Sequence, residues 1–226
     1  MSFEQWAQSW ESVPMAEATE RYDIGEASNG LLDDLDDFFG EEPECFFVHR
    51  GDVTVEGPLV MGNGPDEAVD TVYVIDGDLT VNGPMRFLNM DVYTPLYVTG
   101  SVTARDLFLE DCNLIIGGSL TVGGLLMTEL TDGGMFVVRG VTSAGAWLEW
   151  SDSGEVTFAH DLKTRRLRAS DGFYHEQAEA EDAAEVLLPR FFDGDVDISD
   201  QLWEAALEGQ PILSGHADRR GWEHRQ

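Results

Sequence analysis

Apolar and polar residues alternate in short runs along the middle of this chain, and one phrase of that alternation returns. It reads FVHRGDVTV from Phe47 to Val55, YVIDGDLTV from Tyr73 to Val81, LYVTGSVTA from Leu96 to Ala104 and LIIGGSLTV from Leu114 to Val122. A looser fifth copy, FVVRGVTSA, runs from Phe136 to Ala144. The shared glycines Gly51, Gly77, Gly100, Gly118 and Gly140 are 26, 23, 18 and 22 residues apart. A third apolar piece follows each glycine: Leu59–Met61, Phe87–Leu88, Leu107–Leu109, Leu125–Met127 and Trp147–Leu148.

Three short β-rich pieces per repeat, parted by Gly or Asn-Gly corners, describe one triangular coil of a parallel solenoid. Strand alternation sends every second side chain inward, and glycine allows corner conformations that branched residues resist. One coil cannot bury its inner face alone, whereas stacked coils bury a continuous apolar column. The fold expected is mainly β: a parallel, right-handed β-solenoid of about five to six coils with α-helical N- and C-terminal caps.

The open ends of such a column present unpaired strand edges that invite association, and the flanks supply candidate covers. An Asn29-capped helix is expected to run to about Phe39, with Leu31, Leu32, Leu35, Phe38 and Phe39 on one face and Gly40 as its stop. Phe3, Trp6 and Trp10 share another possible helical face. Further helices are expected over 176–188 and from a Ser199 cap through Leu207, before Gly209-Gln210-Pro211. The organisation is therefore an acidic helical cap over 1–45, a solenoid over 46–170 and a helical cap over 171–226, packed as one unit. The alternating Lys163-Thr164-Arg165-Arg166-Leu167-Arg168 reads as a final strand.

Composition changes the picture through charge. Forty-four acids face 13 Lys and Arg in 226 residues, a formal charge of −31, while 42% of residues are hydrophobic, enough for a real core. The acidity is spread out: 13 acids and one base in 1–45, 14 and four in 46–150, 17 and eight in 151–226. Such a surface repels nucleic-acid phosphate and anionic membrane, and steers a basic protein toward it. Two cysteines, Cys45 and Cys112, build no disulfide framework and are expected reduced. The opening residues read as no secretory signal, and no long apolar run occurs, so a cytoplasmic location is expected.

Catalytic chemistry finds little footing. Hexapeptide acyltransferase solenoids need regular 18-residue coils, which these spacings do not provide. Polysaccharide-cleaving solenoids array Asp and Arg on one outer face, for which Asp76, Asp78, Asp106, Asp111 and Arg105 are the candidates; acids at coil corners read better as solvated turn residues. The five histidines fall singly, no Cys-x-x-Cys occurs, and Asp193-Gly194-Asp195-Val196-Asp197 lacks the glutamate of a calcium loop. The expectation is a non-enzyme without cofactor or metal. DNA mimicry needs acids in a regular row, and the row of Asp52 and Asp78 passes to Ser101, Ser119 and Val141 after two coils.

The Gly-Asp-Val-Thr-Val and Gly-Asp-Leu-Thr-Val phrases resemble the bactofilin-like, polymer-forming β-helix repeats over roughly residues 46–150. Irregular coils, long flanks and extreme charge depart from that pattern. The stretch from Gly118 to Leu126, then Thr131 to Val137 and Asp197 to Leu213, is similar to acidic proteins met beside polymorphic toxin genes. That resemblance implies an immunity protein, which binds a basic cognate toxin and occludes its active or substrate site. The alternative is a bactofilin-like scaffold. The candidate contacts are Asp33, Asp34, Asp36, Asp37, Glu41 and Glu42, then Glu176, Glu179, Glu181 and Asp182, then Asp193 and Asp195. Trp147 and Trp150, with Phe173 beside them, are candidate aromatic anchors, although each can equally be core.

Overall fold

The computed structural model describes residues 7, 9–40, 43–62, 71–88, 94–130, 134–149, 154–168, 181–192 and 198–214. Its centre is a solenoid of parallel strands in two hydrogen-bonded sheets. The first coil contributes β2 (Cys45–Arg50), β3 (Val53–Val55) and β4 (Leu59–Met61); the second β5 (Tyr73–Asp76) and β6 (Leu79–Leu88). Coils three to five follow as β7 (Leu96–Val98) with β8 (Val102–Glu110), β9 (Asn113–Ile116) with β10 (Leu120–Glu129), and β11 (Met135–Val138) with β12 (Thr142–Glu149). A sixth pair, β13 (Glu155–Phe158) and β14 (Lys163–Arg168), extends the stack beyond the five repeats, so the basic segment is the final long strand as expected.

With β1 (Glu11–Pro14) and β15 (Glu181–Asp182) at their ends, one sheet runs β1-β2-β5-β7-β9-β11-β13 and the other β15-β14-β12-β10-β8-β6-β3, with β4 also on β6. Each long strand of the second sheet shifts register near its middle, between Val81 and Pro84 in β6 and between Val122 and Leu126 in β10, against β8 in both cases. Its two halves therefore form two sides of the coil, and the first sheet forms the third. This is the three-piece coil read from the repeat.

The register stacks equivalent residues. Leu59, Met85, Leu107, Leu126 and Trp147 form one inward column, and Val53, Leu79, Val102, Leu120 and Thr142 another. Both belong to the interior of the solenoid except Thr142, whose buried hydroxyl replaces an aliphatic group. Glycine at the corners has a different cause from the one expected. Gly51 alone among the five repeat glycines has a left-handed φ, +97°. At Gly118 the requirement is close approach, since a Cβ would stand 2.7 Å from the carbonyl carbon of Gly100.

The N-terminal flank reaches the first end of the column, and both flanks also lie along its sides. At the first end Ala7 and Trp10 enter the interior cluster, and β1 (Glu11–Pro14) pairs antiparallel with β2. Beyond β1 the N-terminal segment lies along the solenoid's side: Ala18, Tyr22, Ile24, Leu32 and Leu35 pack on Val48, Val74, Ile115 and Val137, which span several coils. The C-terminal segment covers a second side, with Leu187, Phe191, Leu202, Trp203 and Leu213 over Phe108, Met127, Leu148 and Leu167. The physical reason is that these strands are apolar on both faces, so each side needs a cover of its own.

The local helices differ accordingly. The N-terminal segment holds α1 (Met15–Tyr22), α2 (Ile24–Ala27) and α3 (Leu35–Phe39). Asn29 does not cap a helix: it sits in a left-handed turn at φ 58°, followed by Gly30 at φ 89°. Asp34 caps α3 instead, its carboxylate accepting from the Asp37 amide at 3.2 Å, and Gly40 closes that helix as expected. In the C-terminal segment Glu181–Asp182 form β15, not helix, and α4 is only Ala183–Val186. A 3-10 turn, Pro189–Phe192, leads toward α5 (Ile198–Leu207), in which Ser199 is a buried member, not the cap. Phe3, Trp6 and residues 176–180 lie outside the described residues.

Candidate partner-binding surface

Cations and anions are distributed differently over this molecule. Each arginine whose side chain is described binds an acceptor of its own chain. Arg21 meets Asp76 at 2.7 Å, Arg50 grips Glu11 through two bonds, and Arg139 donates to the Glu26 carbonyl and the Asn29 side chain. These three pin the N-terminal segment to its sheet. Arg86 makes a two-pronged pair with Glu110, 2.7 Å on each prong, and a 3.2 Å bond to Asp200, while Arg105 donates to the Ala206 carbonyl. Those two pin α5 to the other sheet. Arg190 binds Gln210 and the Pro211 carbonyl, and Arg166 faces Glu149 at 3.6 Å.

Many acids, by contrast, face water. Glu17, Glu20, Asp23, Glu26, Asp33, Asp34 and Asp37 are all exposed on the N-terminal segment. Asp33, Asp34 and Asp37 therefore stand together on an accessible acidic flank, as the sequence pattern anticipates. The side chains of Asp36, Glu181 and Asp182 are not described, and Glu41, Glu42, Glu176, Glu179, Asp193, Asp195, Trp150 and Phe173 lie outside the described residues.

Trp147 is not a surface anchor. Only 2% exposed, it stacks on Leu126 in the interior, donates its indole N–H to Thr128 at 3.0 Å and meets Phe158 edge to face. Arg166 occupies the next position of that column and lies over the indole at 4.7 Å, a cation closing an apolar stack. Inward alternation in the repeat already carried this signal, since Trp147 occupies the position of Leu107 and Leu126.

Asp76, Asp78, Asp106 and Arg105, named above as catalytic candidates, are each bonded within the chain. Asp52 Oδ1 accepts the Asp78 amide, Asp78 Oδ1 the Ser101 amide, Ser101 Oγ the Ser119 amide, and Ser119 Oγ the Val141 amide. The broken acid row is thus a ladder in which each corner side chain binds the coil above. Asp106 is 1% exposed and accepts from the Leu125 amide and Arg105. Asp76 holds Arg21 and Tyr22.

Burial raises the Tyr22 and Tyr97 hydroxyls and pushes the Cys112 thiol well up, while the Arg50 bond holds the Glu11 carboxyl below its ordinary range. Both cysteines are free thiols. Among the described residues no group of three or more His, Cys, Asp or Glu could hold a metal ion, and no helix is long and apolar enough to cross a membrane.

One cavity, of about 400 Å³, opens on the acidic flank between α1, α2 and the start of α3. It is lined by Met15, Ile24, Leu32 and Leu35 together with Thr19, Asp23, Asp33 and Asp34, and it exposes more polar than apolar surface. Comparisons with protein families, curated proteins and solved structures return no match for the chain.

Proposed function

We propose that this chain is an immunity-type protein that binds a basic bacterial toxin domain and blocks its active or substrate-binding site. The observation that carries the reading is the partition of charge. The described arginines are engaged within the chain, whereas the carboxylates of the N-terminal flank are presented to solvent on a scaffold made rigid by stacked coils. A field of that sign accelerates encounter with a basic protein and rejects anionic partners. The resemblance of the repeat to acidic proteins near toxin genes points the same way. Toxins that act on nucleic acid or nucleotides carry basic clefts that suit such a surface.

The test is co-expression of the tagged chain with its neighbouring gene in the native cytoplasm. A stoichiometric basic partner, lethal to cells that lack this chain, supports the reading. Recovery of the chain alone, with no toxic neighbour, removes it.

A second reading, a bactofilin-like scaffold, has its own observation. Among the described residues, β3 and β4 at one end and β13 at the other each lack a partner on one side. Copies joined through such edges would sediment as filaments once salt screens the charge. A monomer at all salt concentrations would retire the scaffold.

A further inference from the structure

We propose that the cavity of the N-terminal flank receives one arginine side chain of the basic partner. This rests on the partner-binding reading above and names the chemistry of its anchor point. At about 400 Å³ the cavity falls within the roughly 300–1000 Å³ of pockets that enclose small ligands. Its carboxylates suit the charged head of a long cationic side chain, and Met15, Ile24, Leu32 and Leu35 among its lining residues suit the methylene stem.

The lining carboxylates are held in different ways. Asp23 and Asp34 each use one oxygen to accept a helix amide, from Glu26 and Asp37 at 3.2 Å, which orients the carboxylate and leaves its second oxygen for a ligand. Asp33 accepts no hydrogen bond among the described residues. Its position depends on Gly25: a Cβ there would lie 2.4 Å from Asp33 Oδ1. The absence of side chains at Gly25 and Gly30 lets this carboxylate rest against the backbone of the α2 turn.

The arrangement favours a guanidinium over a metal ion. No three carboxylates converge closely enough to chelate among the described residues. Carboxylates spread along the lining match a planar cation with five donors better than a point charge.

The experiment is an amide-resolved NMR titration of the full-length protein with Nα-acetylarginine amide, with Nα-acetylnorleucine amide as the control. Saturable shifts at Gly25, Gly30 and Asp33–Leu35 with the arginine compound alone are expected. Asp33→Asn should weaken them about fivefold. Gly25→Ala, which crowds Asp33 Oδ1 without removing a charge, should weaken them too, and circular dichroism verifies that each variant is folded. Shifts scattered over every acidic surface, or an affinity indifferent to both variants, would overturn the assignment. A basic partner that still co-purifies while the arginine compound leaves the cavity untouched would sink this proposal and spare the partner-binding reading. A cavity that binds the compound while no basic partner is recovered would do the reverse.

Discussion

Thr142 occupies the column of Val53, Leu79, Val102 and Leu120, yet its fully buried Oγ1 makes no hydrogen bond. An isosteric methyl would remove an unsatisfied acceptor and donor from the interior. Thr142→Val is therefore expected to stabilise the fold by about 1 kcal/mol, read as a higher denaturant midpoint with an unchanged slope. A lower midpoint would mean that a buried water completes the hydroxyl's bonding. Single residues also show where sequence reasoning stops. The role of Trp147 was open because an indole serves a core and an interface equally well. The register, which places it above Leu126, decides between them.

At the scale of elements, the strands were legible because each repeats a pattern, whereas the flanking helices have one copy each. Asn29 before an apolar stretch is a fair cap signal, but Asn29-Gly30 instead adopts a left-handed turn and the helix starts later, at Asp34's cap. The unbroken runs Leu114-Ile115-Ile116 and Met135-Phe136-Val137-Val138 carried the missed clue. Strands apolar at every position are covered on both faces.

The covering of the second sheet depends on Arg86, which joins Glu110 and Asp200 and lies over the Trp203 ring of α5. The Arg86 and Glu110 side chains are only 14% and 11% exposed. Arg86→Met strands the Glu110 carboxylate and is expected to cost about 3 kcal/mol. Adding Glu110→Leu should restore most of that loss, because the orphaned charge goes with it. A double variant no better than the single one would show that the pair, not the stranded charge, is what matters.

For the whole molecule, a formal charge of −31 works against compactness even while its arginines tie the flanks down. Raising sodium chloride from low ionic strength to about 0.5 M, where screening acts within a few ångströms, is expected to raise the thermal midpoint. A falling midpoint would show that the internal arginine bridges outweigh the self-repulsion. The same balance bears on the function proposed above, under which a docked basic partner would relieve the repulsion that burdens the free protein.

The repeat, its three-piece coil and the overall charge are local properties of the chain, so the sequence by itself determined the solenoid and the sign of its surface. Period and composition need no knowledge of what lies across a gap. Which sides the flanks cover, which acids remain outside and where Trp147 points depend on contacts between residues distant in the chain, such as Arg139 with Glu26 and Arg105 with Ala206. Those the tertiary structure decided. Packing chooses among several locally acceptable conformations by the apolar surface each can cover, and no pattern within one segment records the shape of its partner.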